Sequence, residues 1–185
     1  MPRTPTYAHF GTSLVLERTV ALINAAGPPA RGTPTARAIE QVLRDHDEPD
    51  PVVAACETPE LATVLGLLFD VCAADSDQAA AHAINGLFEL YGNTPRMTAH
   101  DGTRWHLHVD SSDDAPLHEW VATSGALALA TVLSETGREG WGICRAADCG
   151  RVFLRIGPAR RRTACSDRCA TRARVHRHRR RHAAR

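Results

Sequence analysis

The stretch CRAADCGRVFLRIGPARRRTACSDRC, residues 144–169, holds four of the six cysteines of the chain in two close pairs. Four residues separate Cys144 from Cys149, three separate Cys165 from Cys169, and fifteen lie between the pairs. Structural zinc sites bind four ligands in a tetrahedron and commonly take each pair from a tight local turn. The spacing therefore predicts one structural Zn²⁺ ion held by these four cysteines.

Two disulfides or four incidental thiols are the alternatives to a zinc site. The sequence has neither a signal-like apolar stretch at its N-terminus nor a run of about 18 apolar residues, so we expect a cytoplasmic protein without a membrane partner. In that reducing compartment, close cysteine pairs bind a metal more often than they form disulfides. Four cysteine ligands leave no open position for water, which argues against a catalytic zinc. Cys56 and Cys72 lie in apolar helical stretches and are predicted core residues.

The segment between the two cysteine pairs predicts a small β-hairpin. RVFLR, IGPA and RRRTA are typical of a strand, a turn and a second strand, with Phe153 in a small core. Gly150 follows the first pair, where a tight turn favours a residue without a side chain. With a helix opening at the second pair, knuckle, hairpin and helix form a treble-clef-like module. Because so small a module buries little apolar surface, zinc would supply much of its folding free energy.

The charge of the chain divides sharply near residue 138. Residues 138–185 contain 15 arginines against Glu139, Asp148 and Asp167, a net charge of +12, whereas residues 1–137 carry a net charge of −11. This division predicts an acidic domain over residues 1–137 and a basic module over residues 138–185 that contacts a polyanion.

Residues 1–137 are predicted to be mainly helical with one β-hairpin, which makes the whole chain α+β. The predicted helix starts are Thr33 with Pro34, Thr58 with Pro59, Ser76 and Pro116. Apolar residues at helical spacing are predicted to face the core. They are Ile39, Val42, Leu43, Leu61, Val64, Leu65, Leu68, Val71, Cys72, Ala80, Ala83, Ile84, Leu87, Phe88, Tyr91, Leu117, Trp120, Val121, Leu127 and Leu133. The first helix is predicted from Thr12 to Ala26 and is largely apolar, with Leu14, Val15, Leu16, Val20, Leu22 and Ile23.

Two short strands are predicted between residues 96 and 110. The segments RMTAH and TRWHLHVD flank an Asp-Gly pair, which is a strong hairpin signal. His106, His108 and Asp110 fall on one strand face and are a candidate second metal or ligand site, although a solvated strand face also explains them. The sequence has no glycine-rich phosphate loop, nucleophile elbow or paired-carboxylate motif, so we expect no enzyme.

The cysteine-rich segment and the residues after it resemble the CGNR zinc finger, which ends a family of bacterial proteins described as stress-induced transcription regulators. In that family a helical N-terminal domain, often called the ABATE domain, precedes the finger, and the order here is similar. The tetrapeptide that names the finger is CATR in this chain, with Ala170 and Thr171 in place of Gly and Asn. The residues that carry the resemblance are Cys144, Cys149, Phe153, Leu154, Arg160, Arg161, Arg162, Cys165, Ser166, Cys169, Arg172 and the closing HRHRRR.

Arginines of the basic module are the candidate nucleic-acid contacts. Arg168, Arg172 and Arg179 fall within about 40° of one another on a helix. Arg160, Arg161 and Arg162 are expected to flank this stripe, and guanidinium groups bind phosphates well. Some of these arginines could instead support the negatively charged zinc site. Beyond Val175 the chain has no apolar face, so we expect a tail that frays until it meets a nucleic-acid backbone.

These observations and the resemblance together predict a two-part regulator of transcription. The basic module is expected to bind nucleic acid, with DNA preferred over RNA because of the resemblance, and to bring the protein to the nucleoid. The acidic, ABATE-like domain is expected to receive a small-molecule or protein signal or to form a homo-oligomer. The alternative is a zinc module that binds RNA or another protein and reads no DNA sequence.

Overall fold

The protein is an α+β molecule in which helices predominate and the strands form small antiparallel hairpins, as predicted. The computed structural model describes residues 9–27, 36–46, 48, 59–99, 105–155 and 162–183. The helices there are α1 (His9–Ala26), α2 (Ala36–Asp45), α3 (Pro59–Ala73), α4 (Asp77–Tyr91), α5 (Leu117–Thr136) and α6 (Asp167–Ala183). The strands are β1 (Arg96–Thr98), β2 (His106–His108), β3 (Trp141–Ile143) and β4 (Val152–Leu154).

Helix α5 is central to the main core and contacts α1, α3 and α4. Its buried face carries small residues, among them Ala122, Gly125 and Ala126. A Cβ atom at Gly125 would lie 3.1 Å from side-chain atoms of both Leu68 on α3 and Thr19 on α1. The small residues of α5 therefore allow α1 and α3 to approach the same point of its surface.

The predicted core of α3 and the predicted start of α4 are confirmed. Ser76 caps α4, because its hydroxyl accepts a hydrogen bond of 3.1 Å from the backbone N–H of Ala79. The apolar residues predicted to face inward on α3 are all buried: Leu61, Val64, Leu65, Leu68, Val71 and Cys72. The helical spacing of these residues was enough to define the buried face of α3.

Helix α1 is present as predicted, but it begins at His9 and not at Thr12. Leu14 is 60% exposed, whereas the charged Arg18 is only 8% exposed. Most of α1 is apolar, so residue spacing alone does not show which side of the helix packs. Ile39 and Leu43 of α2 are buried as predicted. Outside the described residues lie the start signals Thr33, Pro34 and Thr58, and also Cys56.

The remaining predicted elements of the acidic domain are present with small differences. On α5, Leu117 and Val121 are buried, while Trp120, Leu127 and Leu133 are half-buried. Strands β1 and β2 pair antiparallel, with Met97 opposite Leu107. The Asp101-Gly102 pair predicted to turn this hairpin lies outside the described residues.

The hairpin of the basic module is built differently from the prediction. Strand β4 lies within RVFLR as predicted, but it pairs with β3, which precedes the first cysteine pair. Residues 162–164 of the predicted second strand form no strand, and residues 156–161 lie outside the described residues. The observed pairing closes a short loop that contains Cys144 and Cys149, and short loops lose little entropy on closure.

This β3–β4 hairpin lies between two hydrophobic clusters. Trp141 and Val152 are buried in the main core with α1, α3 and α5, whereas Phe153 packs among the cysteines. Successive side chains of a strand point to opposite faces, so one hairpin can serve both clusters. The hairpin therefore joins the cysteine-rich module to the helical part of the protein.

Candidate metal centre and nucleic-acid interface

The four cysteines of the basic module converge on one point. The Sγ atoms of Cys144, Cys149, Cys165 and Cys169 all lie within 4.8 Å of one another. The Sγ of Cys149 is 3.6 Å from that of Cys165 and 3.7 Å from that of Cys169. Tetrahedral zinc with Zn–S bonds of about 2.3 Å requires S···S separations of about 3.8 Å, whereas a disulfide requires about 2.05 Å. The four thiols therefore fit one Zn²⁺ ion.

The first cysteine pair is positioned by a tight turn between β3 and β4. The backbone N–H of Cys144 donates to the carbonyl of Arg151 at 2.8 Å, and the N–H of Gly150 donates to the carbonyl of Cys144 at 3.2 Å. Asp148 and Gly150 have positive φ angles of 56° and 66°. A positive φ favours glycine, so the predicted importance of Gly150 has a backbone cause.

The second cysteine pair is positioned by the start of α6. The hydroxyl of Ser166 accepts a hydrogen bond of 3.2 Å from the backbone N–H of Cys169, and its carbonyl accepts one of 2.9 Å from the N–H of Ala170. Ser166 thus caps the helix that carries the fourth ligand, a role that sequence reasoning missed. The signal was a serine directly before Asp167, the first residue of the helix.

The two thiols of this second pair differ in acidity before any metal binds. The Ser166 hydroxyl and the neighbouring thiols lower the pKa of Cys169 to about 7, whereas burial raises the pKa of Cys165 to about 12. Zinc binds the thiolate form. Cys169 therefore offers a ligand that is partly ionised at neutral pH, and Cys165 releases a proton when it binds zinc.

Several arginines support the metal centre. Nη2 of Arg172 donates to the Sγ of Cys169 at 3.3 Å, and Nη2 of Arg162 donates to the carbonyl of Cys165 at 3.2 Å. Nε of Arg155 donates to the carbonyl of Arg162 at 3.1 Å. Zinc with four thiolates carries a net negative charge, which cationic donors stabilise. Two of the predicted nucleic-acid contacts, Arg162 and Arg172, therefore also contact the zinc site.

Phe153 is the centre of the small core beside the cysteines, as predicted. The Arg155 guanidinium lies 5.2 Å from the centroid of its ring. Opposite Phe153 is Gly142, whose position leaves no space for a side chain, because a Cβ atom would lie 2.7 Å from Nη2 of Arg155 and 2.9 Å from Cζ of Phe153. The close approach at Gly142 allows the arginine and the aromatic ring to cover the hairpin.

Helix α6 leads away from the metal centre and carries exposed basic residues. Arg168 and Arg179 are exposed, and with Arg172 they lie within about 40° of one another around the helix. The structure continues the helix to Ala183, where the sequence predicted a frayed tail beyond Val175. The other two predicted contacts, Arg160 and Arg161, lie outside the described residues.

His106, His108 and Asp110 lie close together, with the two rings 4.7 Å apart between centroids, but they do not meet the spacing of a metal site. Nδ1 of His108 lies 3.0 Å from Oδ2 of Asp110, and Nη2 of Arg96 lies 2.5 Å from Oδ1 of the same carboxylate. Within the described ranges, only the four cysteines come close enough together to hold a metal ion. Asp110 therefore forms an ion pair with Arg96 in this structure.

The comparison with known protein families agrees with the geometry. Residues 141–182 match the family model of the CGNR zinc finger, a range that includes all four clustered cysteines. A search of curated proteins finds no matching relative. In the part of the chain that the structure describes, no helix is both long enough and apolar enough to span a membrane.

Proposed function

Because residues 141–182 match the family model of the CGNR zinc finger, we propose that this protein is a transcription regulator that binds DNA through its zinc-supported helix α6. The observation that carries the proposal is the position of α6, which begins at the metal centre and presents arginines to solvent. Zinc would have a structural role, because four cysteine ligands fill its coordination sphere. We also propose that the protein is not an enzyme.

The charge of α6 supports binding to a polyanion. Its 17 residues include seven arginines and three histidines against one acidic residue, Asp167. A helix of this length extends for about 26 Å, and helices of this width enter the major groove of DNA. The residues of α6 at positions 171, 172 and 174–179 are exposed. The basic side chains at those positions are therefore not buried against the acidic domain and are accessible to a nucleic acid.

The arginines divide into two groups by their contacts. Arg168 and Arg179 are exposed and are proposed to bind phosphates only. Arg162 and Arg172 are proposed to connect a bound phosphate with the metal centre, because each also contacts a zinc-ligand cysteine. Arg160 and Arg161 are proposed phosphate contacts on the basis of the sequence alone.

DNA is the partner we propose in preference to RNA. Single-stranded RNA is commonly bound by exposed aromatic rings on which bases stack. Both aromatic residues of the basic module, Trp141 and Phe153, are buried with 2% and 4% exposure. The acidic domain, with its net charge of −11, would repel a nucleic-acid backbone and so leave the contact to the finger.

Gel-shift titrations of the zinc-loaded full chain test this function. Duplex DNA, single-stranded RNA and an acidic protein are compared at low and moderate salt. We expect duplex DNA to bind most tightly, and Arg168→Gln with Arg179→Gln to weaken binding. The matched control is Arg37→Gln with Arg44→Gln, which removes two exposed arginines from α2. Preference for RNA or for the acidic protein would support the alternative function, and failure to bind DNA at low salt by folded, zinc-loaded protein would refute the proposal.

A further inference from the structure

A cavity of about 560 Å³ lies in the acidic domain, away from the zinc-ligand cysteines, among α1, α5 and β2. Its size is within the range of small-molecule sites in proteins. Apolar side chains form much of the wall, among them Val15, Leu127 and Ala128. Charged groups from Arg18 and Glu48 also line it. The cavity thus has the combination of apolar surface and a few polar groups that binds small organic ligands.

Arg18 is the unusual residue of this wall. Its guanidinium lies 3.8 Å from the ring centroid of Trp120, and its side chain is 10% exposed. Nη1 donates to Oε1 of Glu48 at 2.5 Å, and Nη2 donates to Oγ of Ser124 at 3.1 Å. Nε is buried without a hydrogen-bond partner in the described part of the chain. Burial lowers the pKa of Arg18, although the Glu48 carboxylate opposes that shift. A buried arginine in this state gains from an acceptor that reaches Nε, which the Glu48 carboxylate does not do.

Glu48 supplies the carboxylate that pairs with Arg18 at the cavity wall. It follows α2 and belongs to no helix or strand, and its backbone N–H donates to the carbonyl of Leu43 at 3.0 Å. Its carboxylate is 15% exposed. Rotation of this side chain towards solvent would return its charge to water and leave Arg18 available to another anion.

The polarity of the wall favours an acid over an amine. Asp110, the other carboxylate of the cavity wall, is paired with Arg96 at 2.5 Å and with His108 at 3.0 Å. Each carboxylate of the wall therefore has an arginine partner, Arg18 for Glu48 and Arg96 for Asp110. The unsatisfied buried polar atom among the described lining residues is a donor, Nε of Arg18.

We propose that this cavity binds a small organic acid, whose carboxylate replaces that of Glu48 on Arg18 and whose apolar body lies against Val15, Leu127 and Ala128. The proposal is independent of DNA binding, since none of its residues belongs to the zinc finger. The proposed ligands of the acidic domain are thus carboxylic acids, because the cation that would bind them is Arg18.

Thermal unfolding of the zinc-loaded full chain tests the proposal with naphthylacetate, phenylacetate and octanoate as probes. Each acid is compared with the alcohol and the amine that have the same carbon skeleton. A ligand at 100 times its Kd raises the melting temperature by about 5 °C or more. We expect that shift with at least one acid and not with its alcohol or amine. No shift with any acid, or an equal shift with the matched alcohol, would overturn the proposal.

Two variants test the role of Glu48 and Arg18. Glu48→Gln removes the internal competitor, so it should lower the Kd of the acid several-fold. Glu40→Gln is the matched control, since Glu40 forms an exposed pair with Arg44 on α2. Arg18→Gln should abolish binding, and circular dichroism must first show that this variant is folded. If it is unfolded, Glu48→Gln decides: equal or weaker binding of the acid by that variant contradicts the exchange of carboxylates.

Discussion

The side-chain amide of Asn24 on α1 pairs with both backbone polar groups of Val152 on β4. Nδ2 of Asn24 donates to the carbonyl of Val152 at 2.9 Å, and the N–H of Val152 donates to Oδ1 of Asn24 at the same distance. One side chain thus provides hydrogen-bond partners for both backbone polar groups of a strand residue 128 positions away in the sequence. This pair, together with the burial of Trp141 in the main core, attaches the metal-bearing hairpin to the helical domain.

Asn24→Ala should destabilise the protein by about 2 kcal/mol, because it leaves a buried N–H and a buried carbonyl without partners. The measurement is urea unfolding of the zinc-loaded protein. Asn85→Ala is the matched control, since Asn85 is exposed on α4 and its loss should change the free energy of unfolding by about 0.5 kcal/mol or less. Equal effects of the two substitutions would show that the pair with Val152 contributes nothing.

Zinc removal should loosen the helical domain as well as the finger. Trp141 belongs to the main core and lies three residues before the first cysteine ligand, so loss of the metal should expose its ring. We expect a chelator to lower the melting temperature of the whole chain and to shift tryptophan emission to longer wavelength. The same chelator saturated with zinc is the control, and Trp141→Phe should lose most of the emission shift. A helical domain that melts at the same temperature without zinc would contradict this coupling.

Gly142→Ala should destabilise the finger, because its Cβ atom would lie 2.7 Å from Nη2 of Arg155 and 2.9 Å from Cζ of Phe153. Overpacking of this kind costs about 1–3 kcal/mol. Gly86→Ala on α4 is the matched control, because no atom lies within 4 Å of the added Cβ and alanine favours helix. Chemical unfolding should therefore show opposite signs for the two substitutions. A neutral Gly142→Ala would mean that Arg155 moves aside without cost.

Cys72 should resist alkylation in the folded protein. Burial raises the pKa of its thiol to about 12, so the reactive thiolate is scarce at pH 8.5. Peptide mapping after N-ethylmaleimide treatment should find Cys72 unlabelled in native protein and labelled after unfolding in guanidinium. Cys169 supplies an internal control, since its pKa is lowered to about 7 and chelation should make it react. Labelling of Cys72 in native protein would show that α3 opens readily.

The salt dependence of DNA binding should report on Arg168 and Arg179. If each neutralises one phosphate, their double replacement by Gln should reduce the slope of log K against log salt by about 1.8. Replacing Arg37 and Arg44 on α2 should leave the slope unchanged. Fluorescence anisotropy over a range of salt concentrations provides the measurement. An unchanged slope in the Arg168 and Arg179 variant would assign the phosphate contacts to other residues.

Features with a local cause were predictable from the sequence. The cysteine spacing predicted the cluster of four thiols, because one tight turn and one helix start each bring two cysteines together within a few residues. The inward face of α3 and the Ser76 cap of α4 follow from residues within one or two turns of each other. In α1 the sequence did not select a buried face, because the helix is apolar on several sides and its neighbours decide which side is buried.

By itself, then, the sequence determined the helices, the four cysteines that cluster and the basic character of α6, since spacing, capping and charge act between near neighbours. Tertiary structure alone decided that β4 pairs with β3, that Asn24 holds Val152, and that Arg18 is enclosed with Glu48 and Trp120 beside a cavity. Those contacts join residues far apart in the chain. Their geometry arises only when the helices pack and exclude water, so no short stretch of sequence contains it.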